Sequence, residues 1–264
     1  MEPVLLITGC IKPDMNQRFL LLSDINERYK QYIDSAEYYI LNSPFKKIVY
    51  CDNSNVQYDI NSGLKEKAQK LNKEFQWIQF QGNNKKVVIH GKGYGEGEII
   101  DYALSHCTII KNCSGFAKVT GRLCIKNIKQ IMKQVSAERS YFNLDIYRAK
   151  GIDTRFYICQ KDFYIKHLRY LYMAATEQEI DNTIEDVFYK ALRKIHGWST
   201  LPLYPRFSGK SGGNGRNYDN EPELKLKFFD IMCKMKCFNL LYGFYKRTLF
   251  RVVCKIKLFL YKNR

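Results

Sequence analysis

The chain has 264 residues, 45% of them hydrophobic and 14% aromatic, enough to bury one large core or two small ones. No run of 18 apolar residues occurs, and MEPVLLITGC has no basic stretch ahead of its apolar one, so neither a membrane-spanning helix nor a signal peptide is expected. The net charge is +17, but from Lys225 onward eleven Lys and Arg face the single acid Asp230, so the body is only mildly basic, which argues against a surface built throughout for nucleic acid.

PVLLITG reads as a short buried strand ending in a turn, and residues 14–43 as one long helix that stops before Pro44. KKIVYCDNSN is a strand that ends in a polar turn, residues 62–72 are helical in composition, and FQWIQF is strand-like. In VVIHGKGYGEGEIIDYAL, VVIH reads as a strand entering a glycine loop, which opens an amphipathic helix ending near Ser105. FAKVTGRLCIKNI gives a strand and then a helix from about Asn127. Such alternation implies a mostly parallel, Rossmann-like sheet with helices on both faces and a ligand crevice beyond the C-terminal strand ends. Thr8, Gly9, Asp52, Asn53, the glycines from Gly91 to Gly97, and Thr120, Gly121 and Arg122 all fall at such ends.

YFNLDIY and DTRFYIC read as further strands, and residues 161–173 and 183–195 as helices. Residues 197–222, rich in Gly, Pro, Ser and Asn, form a long loop, either disordered or a functional lid. Residues 223 to about 260 are helical in tendency, with apolar side chains set between cations. That pattern suits a helix lying on an anionic membrane surface, with a helix packed on the body as the alternative.

The glycine stretch lacks the third glycine of a dinucleotide-binding fingerprint: Glu96 or Glu98 stands there, and either carboxylate would repel a phosphate. GKS at residues 209–211 is not a Walker motif, because Tyr204 occupies the position of its first glycine. A mobile lid would bring Arg206, Lys210 and Arg216 to a diphosphate. Arg122 is either a solvent-facing turn residue or a bidentate phosphate ligand in the crevice, where Lys92 adds a second charge. In TIEDVFYKALRKI, Thr183 and Asp186 fit a helix cap, which leaves Glu185 as the candidate general base. Asp153 and Arg155 pair with each other or face the site. The four histidines and nine cysteines show no metal spacing and no C-x-x-C pair, which fits reduced, buried thiols, and no D-x-D pattern precedes Asp219.

LLITG, RYKQYIDSAEYYI followed by IVYCDNSN, GKGYGEGEIIDYAL and FAKVTGRLCIKNI, in that order over residues 4–220, resemble bacterial glycosyltransferases of capsule and O-antigen gene clusters. The resemblance implies a GT-A-like domain over residues 1–222, with a nucleotide-binding part over about 1–135 and an acceptor part over about 136–222. Residues 223–264 follow as a basic tail. It further implies hexosyl transfer from a UDP- or GDP-sugar to a lipid-linked or growing glycan, at the inner face of the cell membrane. Thr8, Gly9, Asp52 and Asn53 would surround base and ribose. Thr120, Gly121 and Arg122 stand in the slot where the family carries its metal-binding D-x-D. Lys92, Gly93, Arg122, Arg155, Arg206 and Lys210 would then hold the diphosphate without a required metal, Mg or Mn staying open. Glu185 is the expected base, with Asp186 and Asp153 behind it. The alternative is a basic nucleic-acid-binding or scaffold protein without catalysis.

Overall fold

The computed structural model describes residues 3–16, 20–56, 61–145, 151–211 and 215–235. In chain order the first elements are β1 (Val4–Gly9), α1 (Ile25–Asn42), β2 (Lys47–Asp52), α2 (Asn61–Lys70), β3 (Glu74–Gln79), α3 (Asn84–His90), α4 (Lys92–His106) and α5 (Thr108–Lys111). There follow β4 (Gly115–Thr120), β5 (Cys124–Ile125), α6 (Ile128–Met132), β6 (Ser140–Phe142), β7 (Phe156–Gln160), α7 (Lys161–His167), α8 (Ile184–Leu192), β8 (Trp198–Thr200), β9 (Phe207–Ser208) and α9 (Glu223–Met235). Seven strands form one sheet in the order β3-β2-β1-β4-β7-β6-β8. The first four run parallel, β7 is antiparallel to both β4 and β6, and β8 runs parallel to β6.

The two-residue period of the strands assigns the faces. Leu5, Ile7, Ile48, Tyr50, Ala117 and Val119 pack against Tyr32, Ala36, Tyr39 and Ile40 of α1. Val4, Leu6, Val49, Cys51 and Phe116 pack against Ile99, Ile100, Ala103 and Leu104 of α4. Both faces are therefore covered, as a parallel sheet requires.

Three expectations about local structure are corrected. The long helix over 14–43 begins only at Ile25, because the Asp24 carboxylate caps the Glu27 amide at 2.7 Å. VVIH is helical: Asn83 caps α3, Val87 alone among its residues is buried, and Ile89 is 52% exposed, so the apolar run has no sheet neighbour to bury it. The glycine stretch is no loop either, since Gly93, Gly95 and Gly97 lie inside α4 and only Gly91, at φ 95°, breaks the chain between α3 and α4.

The other glycines admit neighbours. A Cβ on Gly93 would stand 2.8 Å from Ile184, and one on Gly97 would stand 2.2 Å from Tyr172.

Residues 197–222 are more structured than an open loop. β8 extends the sheet, β9 pairs with β5, and Lys210 bridges Asn217. The tail is helical from Glu223 to Met235, and the remainder of the expected helix lies outside the described residues. Seven cysteines are described, and all are free thiols.

Candidate functional site

A cavity of about 300 Å³ opens at the carboxyl ends of β1, β2 and β4. Thr8 and Gly9 form part of its floor, with Asn53 and the Thr120 and Arg122 pair beside them. The first turns of α4 make one wall through Lys92, Gly93, Gly95 and Glu96, while Arg28 and Tyr32 of α1 make another. Thr154, Arg155 and Glu185 join the lining from the second half of the chain, as do Lys210, Ser211 and Tyr218. Arg122 and the glycine stretch thus share one cavity.

The turn after β1 is held by two buried side chains that sequence reading assigned differently or overlooked. Arg28, 5% exposed, donates to the carbonyls of Cys10 and Ile11 at 3.1 Å and of Leu22 at 3.0 Å, fixing the turn after β1. Asp52, expected beside base or ribose, does not line the cavity: its carboxylate accepts from the Ile11 amide at 2.9 Å and the Ser54 amide at 2.8 Å. Burial raises its pKa, and those hydrogen bonds act in the other direction. Gly121 also leaves the lining, because the chain there lies so close to β1 that a Cβ would meet the Thr8 carbonyl at 2.5 Å.

Arg122 is held loosely by comparison. Its Nη1 reaches Gln31 Oε1 at 3.4 Å, its guanidinium lies 5.8 Å from the Tyr32 ring centroid, and its Nε is buried without an acceptor. A planar donor fork at the cavity, tied to its neighbours by one long hydrogen bond and a ring contact, suits an oxyanion ligand. Five Lys and Arg line the cavity against three Glu, which gives it a positive balance.

Other expected cations have local partners. Arg155 lines the cavity but forms a two-point bond with Asp153, at 2.8 and 2.6 Å, and packs over the Phe207 and Tyr218 rings. Asp153 is 5% exposed, is bonded to Arg155 and is not among the residues lining the cavity. Arg206 is not at the cavity, because Asp230 of α9 holds it at 2.5 Å. Arg216 pairs with Glu221. Lys210 and Ser211 remain at the cavity mouth.

At α8, Thr183 and Asp186 form a reciprocal capping box, with Asp186 Oδ2 accepting from the Thr183 amide at 3.0 Å and its hydroxyl at 2.7 Å. Asp186 is 4% exposed and serves the helix. Glu185 faces the cavity and accepts from the Thr154 hydroxyl at 3.3 Å.

Two further carboxylates line the cavity. Glu177 reaches the Lys92 amide at 3.2 Å, so the α4 N-terminus already meets an anion of the chain itself. Burial raises its pKa, with Lys92 opposing. Glu96 is paired with Lys118 of β4. Neither pair is visible in sequence spacing, although a lysine inside the apolar run FAKVT was a signal.

The D-x-D slot holds a hydroxyl, a glycine and a cation, and among the described residues no three His, Cys, Asp or Glu side chains gather as ligands. The slot itself therefore offers no carboxylate to a divalent ion.

Fold and site together define an α/β protein with a cationic ligand cavity at its parallel strand ends. No family model matches the chain, and no curated protein matches it in sequence. Among solved structures, the glycosyltransferase GlyE of Streptococcus pneumoniae TIGR4 is similar in chain path, at 10% identity and a TM-score of 0.48. Its apo-form structure gives 11% identity and the same score. Each match covers 76% of this chain and 45% of the other, so the chain spans less than half the length of these neighbours.

Proposed function

We propose that the chain is a glycosyltransferase of GT-A type, moving a hexose or related sugar from a UDP- or GDP-sugar to a lipid-linked or growing cell-surface glycan, as in capsule or O-antigen assembly. The observation that carries this reading is Arg122: a guanidinium that lines the cavity and has only a 3.4 Å bond to Gln31, in a cavity that a carboxylate, Glu185, also lines. Phosphoryl charge and a reacting hydroxyl are what such a pair serves.

In this reading the nucleotide lies over Thr8, Gly9 and Asn53, and its diphosphate faces Arg122, Lys92 and Lys210. As the bond from the sugar to the diphosphate breaks, negative charge grows on the leaving oxygen, and these fixed cations stabilise it. Glu185 takes the proton of the attacking acceptor hydroxyl. No step is routed through a metal.

Residues 223–264 bring the enzyme to its lipid-held acceptor. Leu224, Phe228 and Ile231, exposed by 82%, 37% and 54%, recur at the spacing of one helix face on α9. Phe229, Met232 and Cys233 pack inward around Tyr204. An apolar outer face flanked by lysines supports contact with an anionic leaflet.

The test is nucleotide release from a panel of UDP- and GDP-sugars supplied with membrane-extracted glycolipid. Glu185→Gln lowers turnover about 100-fold or more while donor binding stays unchanged, the range removal of a general base gives. Full activity in that variant removes Glu185 from the reaction.

A further inference from the structure

Lys118 stands in the middle of β4, on the face that Phe116 buries against α4, with a side chain 0% exposed. A buried amine is costly unless each of its hydrogens finds an acceptor. Here three acceptors are present: the Glu96 carboxylate, the Thr154 carbonyl at 2.7 Å and the Thr120 hydroxyl at 3.2 Å. Burial pulls its pKa from 10.5 to about 7, with Asp153 and Glu185 acting against that fall.

The partners give the arrangement a direction. Glu96, Thr120 and Thr154 all line the cavity, whereas Lys118 lies beneath them and does not. Glu96 keeps 24% of its side chain exposed, and Thr154 in turn donates to Glu185. One hidden amine therefore braces the cavity face of α4 against the segment that holds Glu185. A paired carboxylate repels phosphate but accepts hydroxyl hydrogens, and a sugar offers several hydroxyls side by side.

We infer that Glu96 binds hydroxyl groups of the transferred sugar, and that Lys118 is a positioning residue fixing Glu96 from below. This deepens the nucleotide-sugar reading and rests on it. Lys92, Arg122 and Lys210 then attend the diphosphate, and Glu96 supplies selectivity for the sugar.

Calorimetric titration of the full chain with UDP, GDP and a panel of UDP- and GDP-hexoses tests the inference. The unaltered chain binds one nucleotide sugar more tightly than the matching nucleotide. Glu96→Gln and Lys118→Met each weaken that nucleotide sugar about tenfold or more, the loss of one charged hydrogen bond, and leave the bare nucleotide within about twofold. The double variant is no weaker than either single one, because Lys118 acts through Glu96. Where a single variant leaves its partner's charge buried and fails to fold, the double variant, which removes both charges, carries the test. Equal loss of nucleotide and nucleotide sugar, unchanged sugar binding in the variants, or no added affinity from any sugar overturns the inference alone. Failure of the unaltered chain to bind any nucleotide or nucleotide sugar overturns the glycosyltransferase reading as well.

Discussion

Gly97→Ala tests whether the glycines of α4 exist for close packing. In an open helix the change is favourable, by up to about 1 kcal/mol, because alanine restricts the unfolded chain and favours the helix. At Gly97 the new Cβ would lie 2.2 Å from both Cβ and Cγ of Tyr172, a side chain only 4% exposed. Carbon contacts settle near ~3.5–4 Å, so α4 and the turn carrying Tyr172 must separate by about 1.5 Å. The touched Cβ is bonded to the backbone and cannot swing aside. Overpacking of this kind costs roughly 1–3 kcal/mol, which exceeds the propensity gain. Gly63 of α2 supplies the control, since nothing lies within 4 Å of its added Cβ. Urea denaturation should show Gly97→Ala destabilised by about 1–2 kcal/mol and Gly63→Ala neutral or stabilised by up to about 1 kcal/mol. A Gly97→Ala protein as stable as the unaltered chain would refute the packing argument.

Two further outcomes follow from the site and the tail. Glu177 is a negative group beside Lys92 whose folded-state pKa lies above 4.5, so it gains a proton as pH falls from neutral toward that value. Its loss of charge favours an anionic ligand: UDP affinity should rise on moving from pH 7 toward 5 in the unaltered chain. Glu177→Gln should start higher and respond less over that window. The same sign appears in stability, which Glu177 lowers when charged and lowers less once protonated. At the tail, replacing Leu224, Phe228 and Ile231 together by Asp should reduce sedimentation of the full chain with phosphatidylserine vesicles at least fivefold; unchanged sedimentation counts against this face.

The parallel half of the sheet was legible because its strands are apolar runs bounded by turns, and because burial on both faces needs little else. β6 and β8 have three residues each, too few to show a period. VVIH misleads because β-branched residues favour strands, while the Asn83 cap and the solvent decide for a helix. Gly93 and Gly97 of α4 oppose helix propensity locally, and their reason lies 91 and 75 residues away in Ile184 and Tyr172.

The start of α1 was missed when residues 14–43 were read as one helix, although Asp24 stands three residues before Glu27, whose amide it caps. Arg122 and Glu185 were legible as residues at element ends. Lys118 and Glu96 were not paired in advance, since their contact exists only once α4 lies on β4. Asp52 was expected beside base and ribose and Arg28 carried no expectation, yet both turn inward to the backbone after β1.

The most direct measurement is a calorimetric titration of UDP and of GDP into the full chain and into Arg122→Ala. The unaltered chain should bind one nucleotide saturably and the variant at least tenfold more weakly, as loss of a charged hydrogen-bonding partner implies. Equal binding by both proteins, or none by the unaltered chain, would contradict the nucleotide-sugar reading.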